Sequence, residues 1–270
     1  MNFRADLHCH STCSAGTLTP VEIIDLAKKV GLSGLSITDH DTVAAYETAI
    51  PYAKEVDILL GIGAEFSSVF KGVSVHVLGY DFELDHPAIK ALCLNHKKRR
   101  EGRNAAILEK LKRKGMPIEE EELGTTDKTI GRPHIALAMV ERGYASSIQD
   151  AFNRFIGDGK SCFDLGTPIS TEETLSAIHE AGGKAFVAHP HLMAGERLIK
   201  ELLSLPFDGI ECYYSRMPPH REKPWVKLAE GRGLLKSGGS DFHGSVKPQI
   251  SLGCSWVDEA TFRSLFTRCL

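Results

Sequence analysis

Short apolar runs alternate along this chain with longer stretches in which apolar residues recur every three or four positions. Asp6-Leu7-His8-Cys9-His10 reads as a strand, and Thr19-Pro20-Val21-Glu22 opens a helix, with a threonine N-cap, proline at the first helical position and glutamate three residues after the cap. Val21, Ile24, Leu26, Ala27 and Val30 then hold a roughly helical spacing up to Gly31. The unit repeats. Leu35-Ser36-Ile37-Thr38 predicts a second strand that ends in Asp39-His40-Asp41 before a helical stretch over 44–56. Residues 58–62 predict a third strand, running into Gly63-Ala64-Glu65, and residues 73–78 a fourth, with His76 inside it. Farther on, Ser170-Thr171-Glu172-Glu173 is a second capping box whose helix stops at Gly182-Gly183, and residues 184–188 form a strand ending in His189-Pro190. A helix over 196–205, a strand over 209–213, a helix over 225–231 and a strand over 234–237 complete the series, the last running into Gly238-Gly239-Ser240-Asp241-Phe242-His243. Seven short strands, most followed by a helix and with polar residues where the strands end, predict an α/β fold. The form expected is a distorted seven-stranded parallel βα barrel with its chemistry at the C-terminal mouth.

One block breaks the alternation. From Pro87 to Lys114 the period is helical and one side is basic, with Lys97, Lys98, Arg99, Arg100, Arg103, Lys110, Lys112, Arg113 and Lys114, followed abruptly by acidic residues 119–122. Two further helices are expected to open near Pro133 and Ser147. Residues 95–160 are therefore read as a small helical insertion, a cap, on a barrel made of 1–94 and 161–270. The basic run is either a solvated helix face or a phosphate-steering surface. Gly131-Arg132-Pro133-His134 places an arginine and a histidine at a helix N-terminus, where backbone N–H groups already favour anions.

Composition narrows the class without naming a chemistry. A chain of 270 residues, 42% hydrophobic and 25% charged, is an ordinary globular protein, and its net charge of −3 argues against a protein that coats nucleic acid. No charged leader precedes an apolar run and no long apolar stretch occurs, so a cytoplasmic protein is expected, with no membrane association and no obligate protein partner. The seven cysteines (Cys9, Cys13, Cys93, Cys162, Cys212, Cys254, Cys269) are scattered without Cys-x-x-Cys pairs and read as reduced thiols. Cys9 in particular reads as a buried apolar thiol.

The strand ends carry the chemistry. Residues two apart in an extended segment share a side, so His8 and His10 can present two imidazoles to one ion. The barrel mouth would add His40, Glu65, His76, His189, Asp241 and His243. Each has a bland alternative, such as a helix N-cap for Asp241 or a hydrogen-bonded core histidine for His76, but eight together point to metal. Imidazoles with carboxylates and no thiolate suit Zn²⁺, Mn²⁺ or Fe²⁺, and the ligands are too many for one ion, so two or three are expected. Clustered divalent ions generate hydroxide near neutral pH and neutralise charge on phosphoryl oxygens, which is phosphate-ester chemistry. Arg132 and Lys160 would add phosphate contacts. His86, His96 and His179 are assigned to the surface, and His191 and His220 to neither group.

Asp6-Leu7-His8-Cys9-His10-Ser11, Ile37-Thr38-Asp39-His40-Asp41, Gly63-Ala64-Glu65, Val75-His76-Val77-Leu78-Gly79, Ala188-His189-Pro190 and Gly239-Ser240-Asp241-Phe242-His243 together resemble the ordered motifs of the PHP family, the polymerase and histidinol phosphatase metallophosphoesterases. Arg132-Pro133-His134 and its helical surroundings further resemble the branch that hydrolyses nucleoside 3′,5′-bisphosphates and trims short oligoribonucleotides from the 5′ end. The resemblance implies one metal held by His8, His10, Glu65 and Asp241, a second by Glu65, His76 and His189, and a third by His40 and His243, with Glu65 bridging. It implies that Arg132 and His134 contact the substrate phosphate, with His134 or a water as proton donor to the leaving oxygen. The chain departs from the family at Ser14-Ala15-Gly16, where Ser-Asp-Gly is usual and the aspartate would complete the third site. The expected function is thus a nucleotide-directed metallophosphoesterase, with reduced turnover and weaker third-site binding because of Ala15. The alternatives are a histidinol-phosphate phosphatase and a catalytically silent metal- and nucleotide-binding protein. A polymerase accessory role ranks last, since no polymerase region is evident.

Overall fold

The computed structural model describes residues 3–124, 129–193 and 195–268, so Cys269, one of the seven cysteines, lies outside the described residues. The chain divides into two compact units, Met1–Cys93 with Ile169–Leu270, and Leu94–Pro168.

The larger unit begins with β1 (Ala5–Cys9), α1 (Pro20–Lys29), β2 (Gly34–Ile37), α2 (Tyr46–Glu55), β3 (Leu59–Leu60), β4 (Gly63–Phe70) and β5 (Val73–Tyr80). The opening capping box forms: Thr19 Oγ1 accepts the Glu22 N–H at 3.2 Å, and the Glu22 carboxylate accepts the Thr19 N–H at 2.8 Å. A long helix, α3 (Pro87–Arg113), starts here and continues into the smaller unit, which adds α4 (Arg132–Glu141) and α5 (Ile148–Ala151). The larger unit resumes with α6 (Thr171–Glu180), β6 (Lys184–Val187), α7 (Glu196–Leu202), β7 (Gly209–Tyr214), α8 (Pro219–Arg232), β8 (Leu235–Gly239) and α9 (Glu259–Leu265).

The strands depart from a uniformly parallel set of seven. Among the described residues eight occur, in a parallel sheet β1-β2-β3 and a second sheet β4-β5-β6-β7-β8, where β4–β5 and β5–β6 pair antiparallel. The cause is local. Only Lys71 and Gly72 separate β4 from β5, too few for a crossover helix, and both take positive φ (49° and 80°), as a tight hairpin turn with the native twist requires. The segment read as one strand running into Glu65 is in fact β3, a break at Gly61-Ile62, and a separate strand β4 that carries Glu65. The ends of β1 and β2 meet the two edges of the second sheet. His10 N–H donates to Phe242 O and Asp241 N–H to His8 O at the end of β1, while Asp41 N–H donates to Glu65 O beyond β2.

Beneath these strand ends, Ile23, Ile24, Leu35, Ile37, Tyr46, Phe66 and Val77 pack in one core, and Leu7, Tyr80, Phe186 and Phe262 in another. The smaller unit has its own core of Ile107, Leu111, Ile135, Met139, Ile156 and Cys162. On α3 the face bearing His96, Arg99, Arg100, Arg103 and Ile107 is buried, whereas Lys97, Lys98, Lys112 and Arg113 are exposed. His96 is therefore not the surface residue expected of a helical histidine away from the strand ends: the i, i+3, i+4 spacing that places Ile107 inward carries His96 and three arginines with it. His86 and His179 are half-buried, and His179 pairs with Asp208 at 2.8 Å. No helix among the described residues is long and apolar enough to cross a membrane.

Asp81, just past β5, ties the C-terminal segment to the sheet. Its carboxylate accepts from Thr267 Oγ1 at 2.7 Å, Thr267 N at 3.1 Å and Arg268 N at 3.1 Å, with the Lys184 ammonium at 3.4 Å. Burial pushes this carboxyl up, but the donors and Lys184 outweigh it and hold it below its ordinary 3.8. Asp81→Asn is expected to cost about 1–3 kcal/mol near neutral pH, because it leaves buried donors without an acceptor. A carboxyl with a depressed folded-state pKa contributes in full above its unfolded value and loses that contribution as pH falls through the folded one. The stability gap between wild type and variant, measured by denaturant unfolding, should therefore narrow toward low pH, and a gap independent of pH would refute the assignment.

Candidate metal centre

The strand ends of the larger unit bring eight ligand-type side chains to one place. His8 and His10 arrive from the end of β1, His40 from just beyond β2, Glu65 from β4, His76 from β5, His189 from the turn after β6, and Asp241 and His243 from the loop after β8. Close backbone approach makes this possible: a Cβ on Gly239 would lie 2.3 Å from the His8 nitrogen and 2.7 Å from Asp6 Oδ1, so only glycine lets β8 lie this close to β1. Asp41, His189 and Asp241 take positive φ (59°, 30° and 55°), which turns the chain sharply at the strand ends.

Glu65 lies at the centre and is 1% exposed. Its Oε2 is 3.3 Å from His8 Nε2, 3.2 Å from His10 Nε2 and 3.1 Å from His40 Nδ1, while its Oε1 is 2.7 Å from His76 Nδ1 and 2.9 Å from His189 Nε2. Asp241 Oδ1 lies 3.5 Å from His8 Nε2 and 3.2 Å from His10 Nε2. Among the described residues three groups have ligand atoms mutually close enough for one ion each: His8, His10, Glu65 and Asp241; His40, Glu65 and His76; and His10, His40 and His243. Shared members make the groups contiguous. His189 touches Glu65 beside the second group, and His10 joins His40 and His243 in the third, a part that the motif pattern gave only to the first.

These spacings fit metal ions. His8 Nε2, both ring nitrogens of His10 and Glu65 Oε2 are buried without an acceptable hydrogen bond among the described residues. Buried polar atoms left so are costly. Ligand atoms around one Zn²⁺ with bonds of about 2.0–2.2 Å stand about 3.3–3.6 Å apart in a tetrahedron and about 2.8–3.1 Å apart in an octahedron. The observed edges of 3.1–3.5 Å match such a polyhedron better than they match hydrogen bonds.

The charge state is prepared as well. Burial pushes Glu65 up, but His40, His76, His8 and His10 outweigh it and hold the carboxyl well below its usual range. Burial likewise opposes ionisation of Asp241, yet Lys247, His243, His8 and His10 keep it well down. His243 is held well below its ordinary value by burial, His10 and Lys247. For His8, burial is overcome by Glu211, Glu65 and Asp241, which raise it well above the usual value. His10 is raised in spite of burial by Asp241 and Glu65.

Sequence reading missed the groups that hold these side chains. Glu211 in β7 accepts from His8 Nδ1 at 2.7 Å and from the His189 N–H at 2.6 Å. Asp39 accepts from Ser11 N at 2.8 Å, Ser11 Oγ at 2.5 Å and Ser14 Oγ at 2.5 Å, pinning the loop that carries buried Ala15. Asp241 Oδ2 accepts from Tyr214 at 2.6 Å and Lys247 at 2.5 Å, which leaves Oδ1 to face the histidines. Glu211 follows Gly209-Ile210 in a strand, as Glu65 follows Gly63-Ala64, and that parallel was the available signal. Cys9 is buried with its thiol on Ser36 O at 3.4 Å.

Arg132, His134 and Lys160 belong to the smaller unit. Arg132, at the start of α4, pairs with Asp158 and lies over the Phe152 and Phe163 rings at 5.7 and 5.2 Å. His134 Nδ1 accepts the Gly131 N–H at 3.0 Å, which caps α4 and leaves the proton on Nε2. Lys160 is exposed.

The PHP domain profile matches residues 6–149. A 5′-3′ exoribonuclease of Haemophilus influenzae is 34% identical over 96% of this chain and 93% of its own length. A 3′,5′-nucleoside bisphosphate phosphatase of Chromobacterium violaceum is 31% identical over 88% of this chain and 86% of its own. A solved structure from Bifidobacterium adolescentis, provisionally described as a metal-dependent phosphoesterase, superposes with a TM-score of 0.87 at 31% identity, covering 97% of this chain and 94% of the other. With a buried histidine-carboxylate cluster at its strand ends and relatives of this kind along nearly its whole length, the chain belongs to the PHP domain family and is a metal-dependent hydrolase of phosphate esters.

Proposed function

We propose that this hydrolase acts on nucleoside 3′,5′-bisphosphates, releasing the 3′-phosphate, and on short oligoribonucleotides from the 5′ end. The observation that carries the reading is the Glu65-centred cluster, whose edges suit several divalent ions. Ions held there supply a nucleophile at neutral pH and offset charge developing on phosphoryl oxygens. The names of the relatives support the substrate class. In this reading His8, His10, Glu65 and Asp241 hold one ion. Glu65, His76 and His189 hold a second, with His40 beside them, and His40 and His243 hold a third. Glu65 belongs to two of the ligand groups, so its single charge would serve two ions at once. Arg132 and Lys160 bind substrate phosphate, Arg132 through its planar fork, and His134, carrying its proton on Nε2, donates toward the leaving oxygen. Mn²⁺, Zn²⁺ and Fe²⁺ all suit this donor set.

With Mn²⁺ present, the protein is expected to release phosphate from adenosine 3′,5′-bisphosphate at least about tenfold faster than from histidinol phosphate. Ala15→Asp, which supplies the carboxylate usual in the family, is expected to raise that rate further. Release from neither substrate by either form, with ions bound, would leave the silent binding protein as the better account.

Glu65→Gln removes the bridging charge and should lower turnover by at least about 100-fold while leaving the fold intact by circular dichroism. Turnover within a few fold of wild type would show that Glu65 does not bridge.

His8 and His10, both raised in the metal-free protein, must lose protons before they can coordinate. Ion affinity should therefore weaken as pH falls from about 8 to about 6, and calorimetric titration of Mn²⁺ in buffers of differing protonation enthalpy should report net proton release. Binding that is indifferent to pH would contradict the assignment of these two rings as ligands.

A further inference from the structure

Glu211 takes no part in the scheme above, yet it is as deeply buried as the ligands themselves. A buried carboxylate is costly unless its oxygens are used, and here both are. Oε1 accepts from His8 Nδ1 at 2.7 Å and Oε2 accepts from the backbone N–H of His189 at 2.6 Å. One side chain on β7 thus ties the ring at the end of β1 to the turn after β6. A carboxylate has no proton to give, so the hydrogen lies on His8 Nδ1 and, in the ligating ring, the lone pair lies on Nε2. That nitrogen faces Glu65 Oε2 at 3.3 Å and Asp241 Oδ1 at 3.5 Å. By contrast, neither ring nitrogen of His10 has an acceptable hydrogen bond among the described residues, so within this four-ligand group His8 is the imidazole with a carboxylate fixing its ring.

We propose that Glu211 is a positioning residue, which fixes His8 as the Nδ1–H tautomer with Nε2 toward the ion and anchors the His189 turn beside it. The proposal rests on the reading of this cluster as a metal centre. Its chemistry is that of a carboxylate behind a ligating imidazole, which aims the ring and raises its basicity. Glu211→Gln keeps the shape and reverses half of the bonding. With the amide oxygen on the His189 N–H, the amide NH₂ faces His8 Nδ1, and His8 must carry its proton on Nε2, where the ion would sit.

Titration of the intact protein with Mn²⁺ tests this. Wild type should bind its ions, and Glu211→Gln should bind one of them about 10–100-fold more weakly with the others unchanged. A merely structural role would lower thermal stability and leave every site with its wild-type affinity, and that result would overturn the proposal. Absence of binding by wild type would instead overturn the metal reading, and this proposal with it. A second measurement needs no variant. In the Zn²⁺-loaded wild type, the ring ¹⁵N resonances of His8 should show a protonated Nδ1 and a coordinated Nε2, and a proton on Nε2 would overturn the proposal even if Glu211→Gln fails to fold.

Discussion

Everything in the larger unit is arranged so that one carboxylate can stay ionised out of reach of water. Burying Glu65 alone would cost several kcal/mol, and five imidazoles from four separate segments of chain are what offset it. Because those segments lie far apart in sequence, the site cannot form before the strands pair. The apolar packing of Ile37, Phe66, Val77 and Phe186 beneath the strand ends is therefore a precondition of the chemistry. The same dependence runs the other way. His8 Nε2, both ring nitrogens of His10 and Glu65 Oε2 have no acceptable hydrogen bond among the described residues, and positive charge among them would complete the electrostatics of this region.

Much of this was legible in the sequence because strand periodicity and ligand chemistry coincide. An apolar run that ends in histidine or aspartate announces both a strand and its functional end, and His8, His10, His40, Glu65, His76, His189, Asp241 and His243 do converge in the structure. The strands themselves were less faithfully read. Alternation of strand and helix implies parallel pairing, but it does not register a two-residue turn at Lys71-Gly72, and that turn reverses β5 against β4. Reversal does not misplace His76, since a hairpin returns to the same neighbourhood that a crossover would have reached.

What stayed hidden was support. Glu211 sits inside an apolar strand where a charged residue reads as exposed or accidental, and nothing local reveals that both of its oxygens are spent on other strands. Asp39 likewise lies just past an apolar strand, and it is the acceptor for three donors of the 11–14 loop. His96 misled in the opposite sense, because its place in a helix away from the strand ends was read as surface while the inner face of α3 put it inside. Such roles depend on partners tens or hundreds of positions away, and periodicity within one segment carries no information about them.

The positive φ angles at Asp41, His189 and Asp241 bear on how this site can change over evolutionary time. Left-handed backbone is tolerated by Asp, Asn and His far better than by β-branched residues, and for most side chains it costs on the order of 1 kcal/mol or more. A lineage that alters its metal preference is thus not free to sample every donor at 189 and 241. Asparagine, histidine and glycine keep the bend, whereas threonine or valine would straighten the strand end and withdraw whatever the side chain offered. The backbone narrows the alphabet at these positions before any ion exerts a preference.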